Sequence, residues 1–179
     1  MRKRQVLEEI FAKHSFMDFR WFDAGKIVVS QWVRVKCMFG CREYGKSAVC
    51  PPNVPTVAEC ERFFRDYTEA AIFHFEKSVV KPEDRYAWTK KMNAKLWNLE
   101  RDVFVAGYPK VFLLYMDTCY FCKECSGTRS HCLNKIVARP TPEAFAVDVF
   151  STVKPVGYPI EVLSDYSQKM HRYAFLMIE

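Results

Sequence analysis

Eight cysteines occur in the chain, and four of them, Cys119, Cys122, Cys125 and Cys132, fall within fourteen residues at the spacing C-x2-C-x2-C-x6-C. Four thiolates, several at two-residue steps and one further on, make the donor set of an iron–sulfur cubane. Two-residue gaps let one tight loop turn three sulfurs toward a point, and Ser126-Gly127 lets the chain swing back for Cys132. The run differs from that of bacterial ferredoxins, whose last gap is three residues and whose last cysteine precedes proline. Tetrahedral zinc also takes four thiolates and is the competing reading. Zinc ligands, however, usually come as two C-x2-C knuckles set well apart. The expected cofactor here is a [4Fe-4S] cluster, with Zn as the alternative.

A second group precedes it: Cys37, Cys41 and Cys50, with Gly40 and Gly45 between them and Pro51-Pro52 after. The Cys50-Pro51 step echoes the ferredoxin pattern. Three cysteines need a fourth ligand or leave one iron open, and Cys60 is the nearest candidate. Cys60, Phe63, Phe64 and Tyr67 share one helix face, so its phase equally suits an ordinary core cysteine. Using the cysteines four and four gives two clusters, one on Cys37, Cys41, Cys50 and Cys60 and one on Cys119, Cys122, Cys125 and Cys132.

Other side chains are weighed beside these. Arg42 and Lys46 lie inside the first cysteine loop, where they either donate to sulfur or face solvent. Arg139 precedes a helix start and suits an anion there, unless it pairs with Asp148 or Glu143. Lys46 and Arg139 are thus the candidate cofactor-binding side chains. His131 reads as a polar neighbour of Cys132 rather than a ligand, and His74 as a satisfied core histidine. No Ser-His-Asp pattern, phosphate-binding glycine loop or carboxylate pair appears. The C-x3-C-x2-C of radical S-adenosylmethionine enzymes is also missing, because the third position holds Tyr44.

The 179 residues are half hydrophobic and 16% aromatic, ample for one cored domain carrying cluster loops at about 37–60 and 117–139. The first residues lack the apolar stretch of a signal peptide, and no apolar run reaches the length of a membrane span. A cytoplasmic setting is expected, where clustered thiols stay reduced and bind metal. The formal charge is +6, but the basic residues form no block, and each bound cubane would subtract about two charges. A solvated basic surface is the expectation, with no membrane or nucleic-acid partner, and oligomeric state is left open.

Residues 1–14 read as an amphipathic helix with Val6, Ile10 and Phe11 on one side, and 26–30 as a short strand. Thr56 with Glu59 makes a capping box for the helix carrying Cys60. A buried strand at 70–76 leads to a long helix from Pro82 to about Ala106, striped by Trp88, Met92, Leu96, Leu99 and Val103. A second strand spans 110–116, a buried helix 142–153 with Asp148 as its interior charge, and a last strand 173–178. The order β-α-β-α-β with right-handed crossovers predicts an α/β fold: a small, mostly parallel sheet with helices on its faces, α+β being the alternative.

The chain resembles domain-of-unknown-function family 2284, described as cysteine-rich and metal-binding. The matching segments are Trp32-Val-Arg-Val-Lys-Cys37, Gly40-Cys41, Tyr44-Gly45-Lys46, Cys50-Pro51-Pro52, Gly107-Tyr108, the four cysteines from 119 to 132, Ala138-Arg139-Pro140, Glu143-Ala144 and Asp148-Val149. The family often has Gly-Pro where this chain has Asp117-Thr118, and Ser-Met where it has Thr141-Pro142. The resemblance implies metal binding but no substrate. The leading expectation is an iron–sulfur protein acting as electron carrier or redox subunit for a partner enzyme. A zinc- or cluster-stabilised structural module and an enzyme with an open iron are the other two readings.

Overall fold

The computed structural model describes residues 2–165 and 167–179. Its centre is a sheet of four strands: β1 (Phe19–Asp23), β2 (Glu69–Lys77), β3 (Phe112–Leu114) and β4 (Met170–Met177). They lie in the order β1-β2-β4-β3, and every neighbouring pair is antiparallel. Five helices complete it: α1 (Arg2–Lys13), α2 (Gln31–Gly40), α3 (Val57–Arg65), α4 (Pro82–Val105) and α5 (Val149–Val153). The fold is α+β, and the mostly parallel sheet predicted from the sequence is incorrect. The helix α4 does link two strands of like direction, β2 and β3. They are not neighbours, because β4 returns between them and pairs antiparallel with both. The crossover is split, and local sequence carries no signal of where a distant strand will insert.

Alternation along the strands divides the core in two. On one face Ala71, Phe73 and Phe75 of β2 and Ala174 and Leu176 of β4 pack with Leu7 and Phe11 of α1 and Leu96, Leu99 and Val103 of α4. On the other, Ala70, Ile72, Tyr173, Phe175 and Met177 pack with Cys60 and Phe64 of α3 and with Val149 and Val153 of α5. Helix α1 therefore buries Leu7 and Phe11, while Val6 stays 42% exposed.

The predicted capping box of α3 is present: Thr56 accepts from the Glu59 N–H, and Glu59 accepts from the Thr56 N–H. Of the predicted α4 stripe, Leu96, Leu99 and Val103 are fully buried and Trp88 and Met92 partly buried. The strand expected at 26–30 lies instead at Phe19–Asp23, with a single bridge between Val29 and Val147. Residues 31–40 form α2, so Cys37 sits on a helix rather than in a loop. The predicted helix 142–153 is broken. A 3-10 turn at Glu143–Phe145 ends in left-handed Ala146 (φ 59°), and α5 restarts where Asp148 accepts from the Ser151 N–H at 3.0 Å. Asp148 is the cap of a helix, not a charge inside one. Among the described residues no helix is long and apolar enough to cross a membrane.

Candidate metal centre

The second cysteine group leaves the end of β3. Tyr115 fixes that exit: its N–H donates to Pro140 O (2.8 Å) and its hydroxyl to Val137 O (2.5 Å). The segment after Cys132 is thereby folded back against the strand, and Cys119 to Cys132 become one closed loop. Burial, and after it the neighbouring Cys132, Cys122 and Cys125, push the Cys119 thiol up. Two sulfurs already receive donors: Asn134 Nδ2 stands 2.9 Å from Cys122 Sγ, and the Ala48 N–H 3.4 Å from Cys125 Sγ.

The Ala48 contact joins the two cysteine groups. Asn53 ties the same seam, donating to Ser47 O at 3.1 Å and to Gly127 O at 2.7 Å. Ala48 and Val49 pack with Cys119, Cys132 and Ala138 in a small apolar cluster. In the first group the Cys50 thiol is pushed up to about 11, mainly by burial, with Cys41, Cys37 and Cys125 adding to the rise. Cys37, Cys41 and Cys50 line one cavity of about 270 Å³ together with Arg85, Asp117, Thr141, Glu143 and Arg172.

Cys60 stands apart. It is fully buried in the core, where its thiol contacts Pro55 O at 3.6 Å, and none of the groups acting on it is another cysteine. Lys46 is exposed and lies 3.8 Å from Glu43. Arg139 pairs with Glu100 rather than with Asp148 or Glu143: Nε lies 2.9 and 3.1 Å from the two carboxylate oxygens. The same guanidinium donates to Ile136 O and Ala138 O, bracing the loop after Cys132 on α4. His131 is exposed and bonds Thr128 and Ser130, in keeping with a polar loop residue.

The residues around the first group were not visible in the sequence. Asp117 is buried and accepts both arms of Arg85 (2.8 and 2.9 Å) and the Thr118 N–H, while Asn93 donates to the Asp117 and Thr118 carbonyls. Asp117, Thr118 and Thr141 all line the three-cysteine cavity. Glu143 lines this cavity and a larger, mostly apolar one of about 690 Å³, and remains exposed to solvent. His74 is satisfied, as read from the sequence. Its Nδ1 meets Asp18 at 2.6 Å and its Nε2 meets His171 at 2.8 Å. No pattern in the sequence could have joined Asp18, His74 and His171, which are brought together by the pairing of β2 with β1 on one side and with β4 on the other.

The donor set is thiophilic: clustered cysteines, N–H groups aimed at sulfur, and an apolar lining suit iron–sulfur or zinc. Among the described residues, no three His, Cys, Asp or Glu side chains stand together at ligating positions. Fold and site together define a small α+β protein with two adjoining cysteine-rich segments suited to a metal. Residues 20–178 match the family described as predicted metal-binding protein (DUF2284), and the chain belongs to that family. Neither the curated proteins nor the solved structures contain a match to it.

Proposed function

We propose that the protein binds two [4Fe-4S] clusters and passes electrons to or within a partner enzyme. Cys119, Cys122, Cys125 and Cys132 would hold the first. Cys37, Cys41 and Cys50 would hold the second, whose fourth position faces the cavity rather than Cys60. The observation that carries the reading is the seam: the Ala48 N–H reaches Cys125 Sγ at 3.4 Å and Asn53 bonds the Gly127 carbonyl, so the two cysteine groups adjoin. A bound cluster supplies reversible one-electron transfer, and adjoining clusters pass electrons more readily than distant ones. The chain's own part is to exclude water and direct N–H donors at the sulfurs, which raises a cluster's potential.

An enzyme with an open iron is a second reading, favoured by the three-cysteine cavity and its buried Arg85–Asp117 pair.

Anaerobic purification followed by iron and sulfide analysis tests both. About eight irons per chain, and two interacting paramagnetic centres after dithionite reduction, are expected. A colourless protein containing stoichiometric zinc would overturn both readings. Clusters that resist reduction would overturn electron transfer.

A further inference from the structure

The larger cavity, about 690 Å³, has the size of a small-molecule site. Helix α2, the start of α5, residues 160–163 and the first residues of β4 form its walls. It is mostly apolar. Two of its rings, Trp32 and Phe39, remain 47% and 84% exposed. Cys37 and Cys41 lie on the same wall, so a molecule held there abuts the first cysteine group.

The polar groups on this wall have a defined chemistry. A carboxylate only accepts, so the 2.6 Å contact requires His74 Nδ1 to carry the proton toward Asp18. With that proton on Nδ1 and no other on the ring, His74 Nε2 accepts from His171 Nδ1, the two nitrogens standing 2.8 Å apart. His171, a cavity-lining residue, is left with the lone pair on its own Nε2. Tyr158 supports the far end, its hydroxyl donating to Asp18 Oδ1 at 3.2 Å. Arg172 lines the cavity as well. Its nearest carboxylate among the described residues is Asp117 at 3.8 Å, whose oxygens already serve Arg85 and the Thr118 N–H. Arg172 Nη1 donates to the His171 carbonyl at 3.4 Å and its Nη2 meets Met170 Sδ at 3.8 Å, which leaves further N–H groups of the five on the guanidinium. The wall's other charged side chains are Lys36, Glu143, Asp148 and Glu161, and Asp148 is occupied in capping α5.

From this arrangement we propose that the cavity binds an apolar-bodied weak acid bearing an O–H, a phenol or an enol, and that His171 takes its proton. The ligand's O–H bond breaks and the proton forms an N–H bond at His171 Nε2. His171 Nδ1–H continues to donate to His74, and the Asp18 carboxylate at the end of the chain stabilises the new imidazolium. The ligand's oxyanion is left beside Arg172. Asp18 and His74 are positioning residues. Burial holds the His171 imidazole below its ordinary value, which favours the neutral ring. This goes beyond the electron-transfer reading and does not rest on it.

The probe is 4-nitrophenol, which colours on losing its proton, titrated into the whole protein with metal content measured in parallel. One bound probe per chain is expected, ionised at a pH at least about one unit below that of the free phenol. Leu163→Trp, which fills the cavity from its half-exposed wall, should abolish binding. His171→Gln should keep binding but lose the shift, and Arg172→Gln should reduce it. Asp18→Asn should move the His171 proton between ring nitrogens, seen by ¹⁵N NMR, and diminish the shift with the fold intact by circular dichroism. Absence of binding, an unshifted titration, or a His171 tautomer unaltered by Asp18→Asn would overturn the proposal whatever the metal content.

Discussion

Replacing Arg139 with Ala tests whether this residue braces the fold or serves an anion. Its partner Glu100 is 5% exposed and keeps, once the guanidinium is gone, only the Leu113 N–H at 3.0 Å. Removing one partner of a buried ion pair costs about 3–5 kcal/mol, because the other charge is left unpaired in a poor solvent for it. The lost bonds to the Ile136 and Ala138 carbonyls and the lost stacking on Phe112 add to this. Against a typical total of about 5–15 kcal/mol, the variant forfeits about a fifth or more of its stability. Combining it with Glu100→Gln removes the stranded charge and should recover about 2 kcal/mol.

The pH dependence has a definite sign. Burial already holds the Glu100 carboxyl above its ordinary value despite Arg139, and losing Arg139 raises it further. A carboxyl that protonates more readily in the folded state gains stability as pH falls from its folded value toward the ordinary carboxylate range of about 4. The defect should therefore be largest at neutral pH and narrow toward about pH 5. Urea unfolding followed by circular dichroism at both pH values measures it. A single-variant cost below about 1 kcal/mol, or a double variant no more stable than the single, would refute the buried-pair argument.

Cys60→Ser should leave metal content and visible spectrum unchanged, whereas Cys41→Ser and Cys50→Ser should each lower the iron bound; a loss of iron in Cys60→Ser would return it to the ligand set. Asp102, held down to about 2 by its bonds to Lys13 and His14, contributes stability that is present above its ordinary value and lost as pH falls toward 2. Asp102→Asn should accordingly cost about 1 kcal/mol at pH 6, and urea midpoints of the two proteins should converge on acidification.

The sequence by itself determined what depends on neighbours along the chain. The spacing of Cys119, Cys122, Cys125 and Cys132 marked the second cysteine group, Thr56 and Glu59 marked the start of α3, and the 3.6-residue stripe marked α4. Each of these is a local pattern whose physics is complete within a few turns. The cysteine at 60 was ambiguous because a ligand and a core residue have the same helical phase, and only the folded chain shows that it lies in a buried cluster with Phe64 and Phe145. The course of the sheet was decided elsewhere. Residues 70–76 and 110–116 read as strands joined by a helix, but nothing in either records that β4, nearly sixty residues later, inserts between them. That insertion sets His171 beside His74 and Arg172 near Asp117, so the charged groups around the cavities exist only in the folded chain. The partner of Arg139 followed the same rule. Asp148 and Glu143 are nearer in sequence, yet Glu100 wins, because α4 lies across the returning loop and presents a buried carboxylate that needs a cation.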